Sequence, residues 1–269
     1  MLTTNIAATA VIDKDARIGA DVAIGPGCVV AAGAIIGDGC ELKANVVVAE
    51  GVILGANNRL FQNTVLGEEP QMLDQEKGCT LVIGDNNVFR ENVTVNRSTE
   101  PDGETTIGSG CYIMAGTHIG HDCDIEDEVV ISNYTQLAGF VRIERKAWLG
   151  SLCGFHQFTT VGRFAYVGGM SAIGRDVPPF VRAAGSYPFT IQGVNAVGLQ
   201  RAGFCKEDIQ AIQKVYLQLF KRRNNKVFTE VLNELMNQPQ SNEHVQDFLH
   251  ALHRSTQHRL GRFRELTRV

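Results

Sequence analysis

The densest cluster of reactive side chains in this 269-residue sequence is Thr117-His118-Ile119-Gly120-His121-Asp122-Cys123. An imidazole followed directly by a carboxylate suits general-base chemistry. His121 can take a proton from an attacking hydroxyl or amine, while Asp122 orients the ring and favours its cationic form. Eighteen residues after His121 stands Gly139, and eighteen beyond that stands Gln157, next to His156. If 18 residues make one turn of a coil, His121, Gly139 and Gln157 stack as a column, one strand spacing apart. A glycine amide in that column can approach a reacting carbonyl closely. His121 as base and the Gly139 N–H as donor to a tetrahedral oxyanion would then serve acyl transfer. The competing reading is of polar residues on a solvated wall, and the stacking register counts against it.

The elements that must hold such a column are signalled by a period of six. Ile6, Ile12, Ile18, Ile24 and Val30 open an aliphatic series that runs at six-residue intervals to Leu66, resumes at Ile83, Phe89 and Val95, and runs again from Ile107 to Ile173. Neither a helix of 3.6 residues per turn nor an alternating strand produces this period. A three-walled solenoid does: each hexad gives a short strand and a turn, and three hexads close one coil. The aliphatic residue points inward, and Gly, Asp or Asn, as at Gly19, Gly25, Gly37 and Gly55, is expected to take the corner beside it. About nine coils would make a prism roughly 40 Å long at about 4.8 Å per stacked strand.

Five of the seven cysteines, Cys28, Cys40, Cys111, Cys123 and Cys153, fall four residues after an aliphatic position. Small side chains dominate there, so these thiols are expected to fill a narrow interior. No Cys-x-x-Cys pair or zinc spacing occurs, and no metal is assigned.

The repeat spans residues 1–178, interrupted by polar stretches at 67–82 and 96–106 that read as loops leaving the prism corners. After Asp176-Val177-Pro178-Pro179 the period stops, and 179–205 reads as an irregular connection. Over 206–269 the period becomes helical, with apolar stripes at Ile209, Ile212, Val215, Tyr216, Leu219 and Phe220, at Val227, Phe228, Val231, Leu232 and Leu235, and at Val245, Phe248, Leu249 and Leu252. A small helical domain is expected to cap one end of the prism, where open strand edges would invite aggregation.

The net charge of −4 conceals an asymmetry: residues 1–200 carry 13 Lys and Arg against 22 Asp and Glu, and residues 201–269 carry 12 against 7. The acidic body and the lack of a recognition motif argue against nucleic acid, while the basic tail suits an acidic partner. No run is long enough for a membrane helix, and the start, Met1-Leu2-Thr3-Thr4-Asn5-Ile6, lacks a basic segment followed by an apolar one. A cytoplasmic protein is expected.

The hexad pattern resembles that of the hexapeptide-repeat acyltransferases. Ala115-Gly116-Thr117-His118-Ile119-Gly120-His121-Asp122-Cys123, Leu137-Ala138-Gly139, His156-Gln157-Phe158, Asp176-Val177-Pro178-Pro179, and Gly193-Val194-Asn195 followed by Gly198-Leu199-Gln200-Arg201 are similar to the UDP-N-acetylglucosamine O-acyltransferase family of lipid A biosynthesis. The likeness extends over essentially the whole chain. It implies a mainly β protein, a left-handed parallel β-helix with a C-terminal α-helical cap, assembled as a homotrimer with sites between subunits. It also implies transfer of a 3-hydroxyacyl group from acyl carrier protein to the 3-hydroxyl of the sugar nucleotide, without a cofactor.

Carried over residue by residue, the resemblance makes His121 the general base, Asp122 its partner and Gly139 the oxyanion-hole amide. His118 would sit beside the sugar, and Gln71 would belong to the loop that binds it. His156, Gln157, Asn195 and Arg201 would hold the acyl chain or the uridine diphosphate, and Gly169 would lie where acyl length is limited. The basic tail would face the acidic carrier protein.

The sequence departs from the family pattern mainly around the acceptor. Met72 stands where an Asp is usual, Asp74 where a Lys is usual, Phe140 where a His is common, Val197 for a Glu and Ala202 for an Arg. Acceptance of another nucleotide sugar, such as a 3-amino analogue, would change this periphery and keep the base. A non-catalytic trimeric scaffold is a further alternative. A metal-dependent hydratase on the same prism, like the γ-type carbonic anhydrases, would need three converging histidines. His118, His121 and His156 do not obviously repeat that spacing.

Overall fold

The structure, a computed structural model, describes residues 5–72, 80–186 and 188–257. Inward aliphatic residues every six positions leave room for strands only two to four residues long, and consecutive strands enter three different walls. Asn5–Ile6 pairs with Ala23–Ile24, Val11–Ile12 with Val29–Val30, and Arg17–Ile18 with Ile35–Ile36, all in parallel. Repetition builds sheets of 11, 9 and 8 strands. The protein is thus mainly β, a three-walled parallel β-helix with α-helices at its C-terminal end. Ile119, Leu137, Ile143 and Val161 are fully buried in its interior. Each such side chain withdrawn from water contributes about 1.5–3 kcal/mol.

The corners differ from the expectation in one respect. Left-handed backbone falls not on the residue after the aliphatic one but two further on, at Gly27, Gly39, Asn45, Asn57, Asp122 and Phe140 among others. The glycine next to the aliphatic residue serves contact between coils instead. A Cβ on Gly37 would stand 2.6 Å from the carbonyl carbon of Gly55, and one on Gly25 would stand 2.9 Å from that of Lys43.

The interior cysteines, spread over all three walls, do more than fill space. The thiol of Cys28 donates to the Lys43 carbonyl at 2.8 Å, Cys123 to Ala138 at 3.2 Å and Cys153 to Gly168 at 3.2 Å. Thr135 makes the same contact with Gly150 at 2.7 Å. A small interior donor here satisfies a corner carbonyl that no strand pairs, which gives Cys and Thr a role at this position beyond their size. Burial pushes the Cys123 thiol up to about 12 and the Cys111 thiol up to about 11, so neither is a nucleophile.

Stacked residues are 18 apart in the regular coils, 29 apart across the first loop and 24 apart across the second. Both loops are therefore insertions between hexads, and the phase of the prism survives them. At its far end, Val181–Ala184 adds in parallel to the wall strand Tyr166–Val167 and turns back, antiparallel, as Thr190–Val194. The helix Ala196–Arg201 (α1) follows. The stretch 179–205 is thus not irregular, as its lack of a hexad period suggested: the open edge of the last coil recruits a strand without needing that period.

Three further helices, Lys206–Phe220 (α2), Phe228–Met236 (α3) and Glu243–Gln257 (α4), cover this end. They join the prism around Phe180, which is fully buried, 6.2 Å from Phe164, 6.0 Å from Phe204 just before α2 and 5.8 Å from His244 of α4. Val227 falls outside its expected stripe; it precedes α3 and is 56% exposed. An Arg163–Asp247 ion pair ties α4 to a prism corner. Among the described residues no helix is long and apolar enough to cross a membrane.

Candidate functional site

One wall of the prism places His118 over Gln136 and Ile119 over Leu137, then Gln136 over Gly154 and Leu137 over Phe155. The same register carries round the corner, where the Phe140 N–H donates to the His121 carbonyl at 3.0 Å. His121 therefore stacks directly on Gly139, as the 18-residue spacing requires. The bare Cα matters: a Cβ on Gly139 would stand 2.4 Å from the imidazole Cε1 and 2.5 Å from Nε2. Among the described residues the Gly139 N–H makes no hydrogen bond, which leaves it available to a ligand.

His121 is 7% exposed, and its Nδ1 lies 2.7 Å from Asp122 Oδ2. The carboxylate of Asp122 also accepts from the Ser98 hydroxyl, the Thr99 hydroxyl at 2.6 Å and the Thr99 amide at 3.2 Å. Burial alone would push the Asp122 carboxyl up, but these donors and His121 outweigh it and hold the carboxyl below the ordinary Asp value. His118 Nδ1 is 2.8 Å from the Thr94 hydroxyl. Burial, reinforced by the neighbouring His121, lowers its basicity and favours the neutral ring.

A groove of about 610 Å³ runs along this wall, lined by Gln71, Asn96, His118, His121, Gly139, His156 and Gln157. Six of the residues singled out in the sequence thus share one cleft. Asn195, Arg201 and Gly169 do not line it. Asn195 caps the N-terminus of α1: its Oδ1 accepts from the Gly198 amide at 3.3 Å and its Nδ2 donates to the Phe164 carbonyl at 3.0 Å.

Phe140, counted with the acceptor periphery in the sequence, packs edge-on against His121 at 5.3 Å and stacks on Phe158 at 4.8 Å. Met72 is 43% exposed and Val197 61% exposed, while Asp74 lies outside the described residues. Ser98 and Thr99 were missed by sequence reasoning, since a polar interruption of the repeat carries no register that would point them at Asp122. Among the described residues no three His, Cys, Asp or Glu side chains gather as a metal site requires.

A three-walled prism of hexads with a polar groove along one wall defines a hexapeptide-repeat transferase. Residues 15–50 match the hexapeptide repeat of succinyl-transferase, residues 104–139 the bacterial transferase hexapeptide, and residues 176–261 domain 2 of UDP-N-acetylglucosamine O-acyltransferase. The chain belongs to the acyl-(acyl-carrier-protein)–UDP-N-acetylglucosamine O-acyltransferase family. It is 46% identical to the member from Aliivibrio salmonicida over 260 residues, covering 94% of this chain and 97% of that one. It is also 41% identical to the Gloeothece citriformis member over 186 residues, where the match spans 68% of this chain and 66% of the relative.

Among solved structures, the Francisella novicida UDP-N-acetylglucosamine acyltransferase superposes with a TM-score of 0.88 at 32% identity, covering 93% of this chain and 91% of that one. The Moraxella catarrhalis UDP-N-acetylglucosamine O-acyltransferase gives 0.87 at 34% identity, covering 93% and 97%.

Proposed function

We propose that this protein transfers a 3-hydroxyacyl group from acyl carrier protein to the 3-hydroxyl of UDP-N-acetylglucosamine, the first step of lipid A biosynthesis, and does so as a homotrimer in the cytoplasm. The observation that carries this reading is the stacking of His121 on Gly139 with Nδ1 held by Asp122. The Cε1–Nε2 edge of the ring then faces the glycine. His121 removes the proton of the sugar hydroxyl as its oxygen attacks the thioester carbonyl, and the Gly139 N–H stabilises the oxyanion. Collapse of the tetrahedral species expels the carrier thiolate, which recovers the proton from the imidazolium. A thioester is already activated, so the step calls for no metal or other cofactor.

The relatives' names supply the donor and acceptor classes. His118, Gln71, His156 and Gln157 would hold the acceptor and the acyl chain, since they line the same groove. A groove on one prism wall is open, and a neighbouring protomer would close it with its own copies of Asn195 and Arg201. Gly169 would then limit acyl length from the same interface. Tyr134, Leu152 and Met170 leave an apolar column exposed at 59%, 57% and 77% along one prism corner, which a neighbouring protomer would cover.

The test is incubation with 3-hydroxyacyl carrier proteins and either UDP-N-acetylglucosamine or its 3-amino analogue, with His121→Ala in parallel and products read by mass spectrometry. Acylation of the ordinary sugar, lost in the variant, is expected. Product from the amino analogue alone would replace the acceptor, and binding of carrier protein without any product would leave a scaffold.

A further inference from the structure

Asp122 occupies a prism corner with φ 58°, and a carboxylate there would ordinarily rotate in solvent. Here its side chain is 7% exposed and accepts from four separate donors. Three of them come from the second loop: the hydroxyl of Ser98, itself fully buried, and the amide and hydroxyl of Thr99. The returning strand Glu104–Ile107 fixes the other end of the residue, since the Asp122 amide donates to the buried Thr105 hydroxyl at 2.8 Å. The fourth donor is His121 Nδ1–H.

We propose that Ser98 and Thr99 are positioning residues for the general base: by occupying the carboxylate lone pairs they hold Asp122 in the one orientation that keeps the proton on His121 Nδ1 and turns Nε2 toward Gly139. A carboxylate surrounded by donors stays ionised and acts only as an acceptor, so the neutral imidazole takes a single tautomer. The interruption of the repeat at 96–106 thereby becomes part of the catalytic wall. This inference rests on reading His121 as the base.

Kinetics of Ser98→Ala/Thr99→Val, Thr99→Ser and Asp122→Asn, with a crystal structure of the double variant, test it. The double variant should lose on the order of tenfold in kcat with an unchanged KM for the sugar nucleotide. Thr99→Ser, which keeps the hydroxyl, should stay near wild type. Added to Asp122→Asn, the pair should cost little more, because both act through one carboxylate. In the crystal, Asp122 should leave the 2.7 Å contact with His121. Wild-type kcat, full additivity with Asp122→Asn, or an unmoved carboxylate would overturn the proposal. Should the wild-type enzyme acylate no sugar nucleotide, the proposed reaction fails, and the crystal structure still decides whether Ser98 and Thr99 set the carboxylate.

Discussion

The imidazole of His121 lies so close over Gly139 that one methyl group at residue 139 would stand 2.5 Å from Nε2. The backbone of Gly139 lies outside the left-handed region, so alanine is tolerated there conformationally, and the three nearest atoms its methyl would meet all belong to His121. Gly139→Ala should therefore fold, with a normal thermal transition, and displace the ring. A loss of about 100-fold or more in kcat is expected, comparable to removing an oxyanion donor. Equal activity in the two proteins would mean that the ring and residue 139 do not act together.

The pH dependence of stability carries a signature of Asp122. Its carboxyl is held below the ordinary Asp value in the folded protein, by the Ser98, Thr99 and His121 hydrogen bonds acting against burial. A depressed carboxylate stabilises the fold fully above its unfolded pKa of about 3.9, and that contribution fades as pH falls through the folded value. The melting-temperature gap between wild type and Asp122→Asn should be widest near neutrality and shrink below about pH 4. A gap independent of pH would remove the ionised carboxylate from the account.

Thiol labelling should divide the cysteines by position. Cys205, before α2, is exposed, whereas Cys28, Cys40, Cys111, Cys123 and Cys153 are buried. Burial raises the pKa of each of these five thiols. Native protein treated with iodoacetamide at neutral pH should be modified at Cys205 and spared at these five until denaturant is added, as peptide mass mapping would read. Rapid native labelling of Cys123 would mean that the interior opens.

Gly37 tests the contact between coils. Gly37→Ala places a methyl 2.6–2.8 Å from the backbone of Gly55 and Ala56, where no flexible side chain can yield. It should cost about 1–3 kcal/mol, measured by denaturant unfolding, with kcat unaffected because the strain lies several coils from the groove. Ala at Gly33, whose φ is 73° and which has open space around it, should cost less, through backbone conformation alone.

Several features of the site were readable as register. Because a hexad repeat adds one wall per six residues, the column His121, Gly139 and Gln157 follows from arithmetic once 18 residues make a coil. The insertions at 67–82 and 96–106 hid the remainder. Gln71 reaches the groove and Ser98 and Thr99 reach Asp122 along paths that no period describes. Asn195 shows the reverse case, a motif residue whose side chain is taken up by the Gly198 amide and the Phe164 carbonyl of its own chain.

The amino-acid sequence by itself determined the prism, its inward face and the phase of its walls, because each hexad repeats the same local choice of aliphatic residue, turn and small interior side chain. It also determined that an imidazole, a carboxylate and a glycine would meet. Only the tertiary structure decided which corner residue turns left-handed, that the glycines beside the aliphatic positions make room for the next coil, and that a polar loop closes over Asp122. Those outcomes depend on contacts between chain segments 18 to 29 residues apart, and such contacts are fixed by stacking and loop closure rather than by any residue's neighbours along the chain.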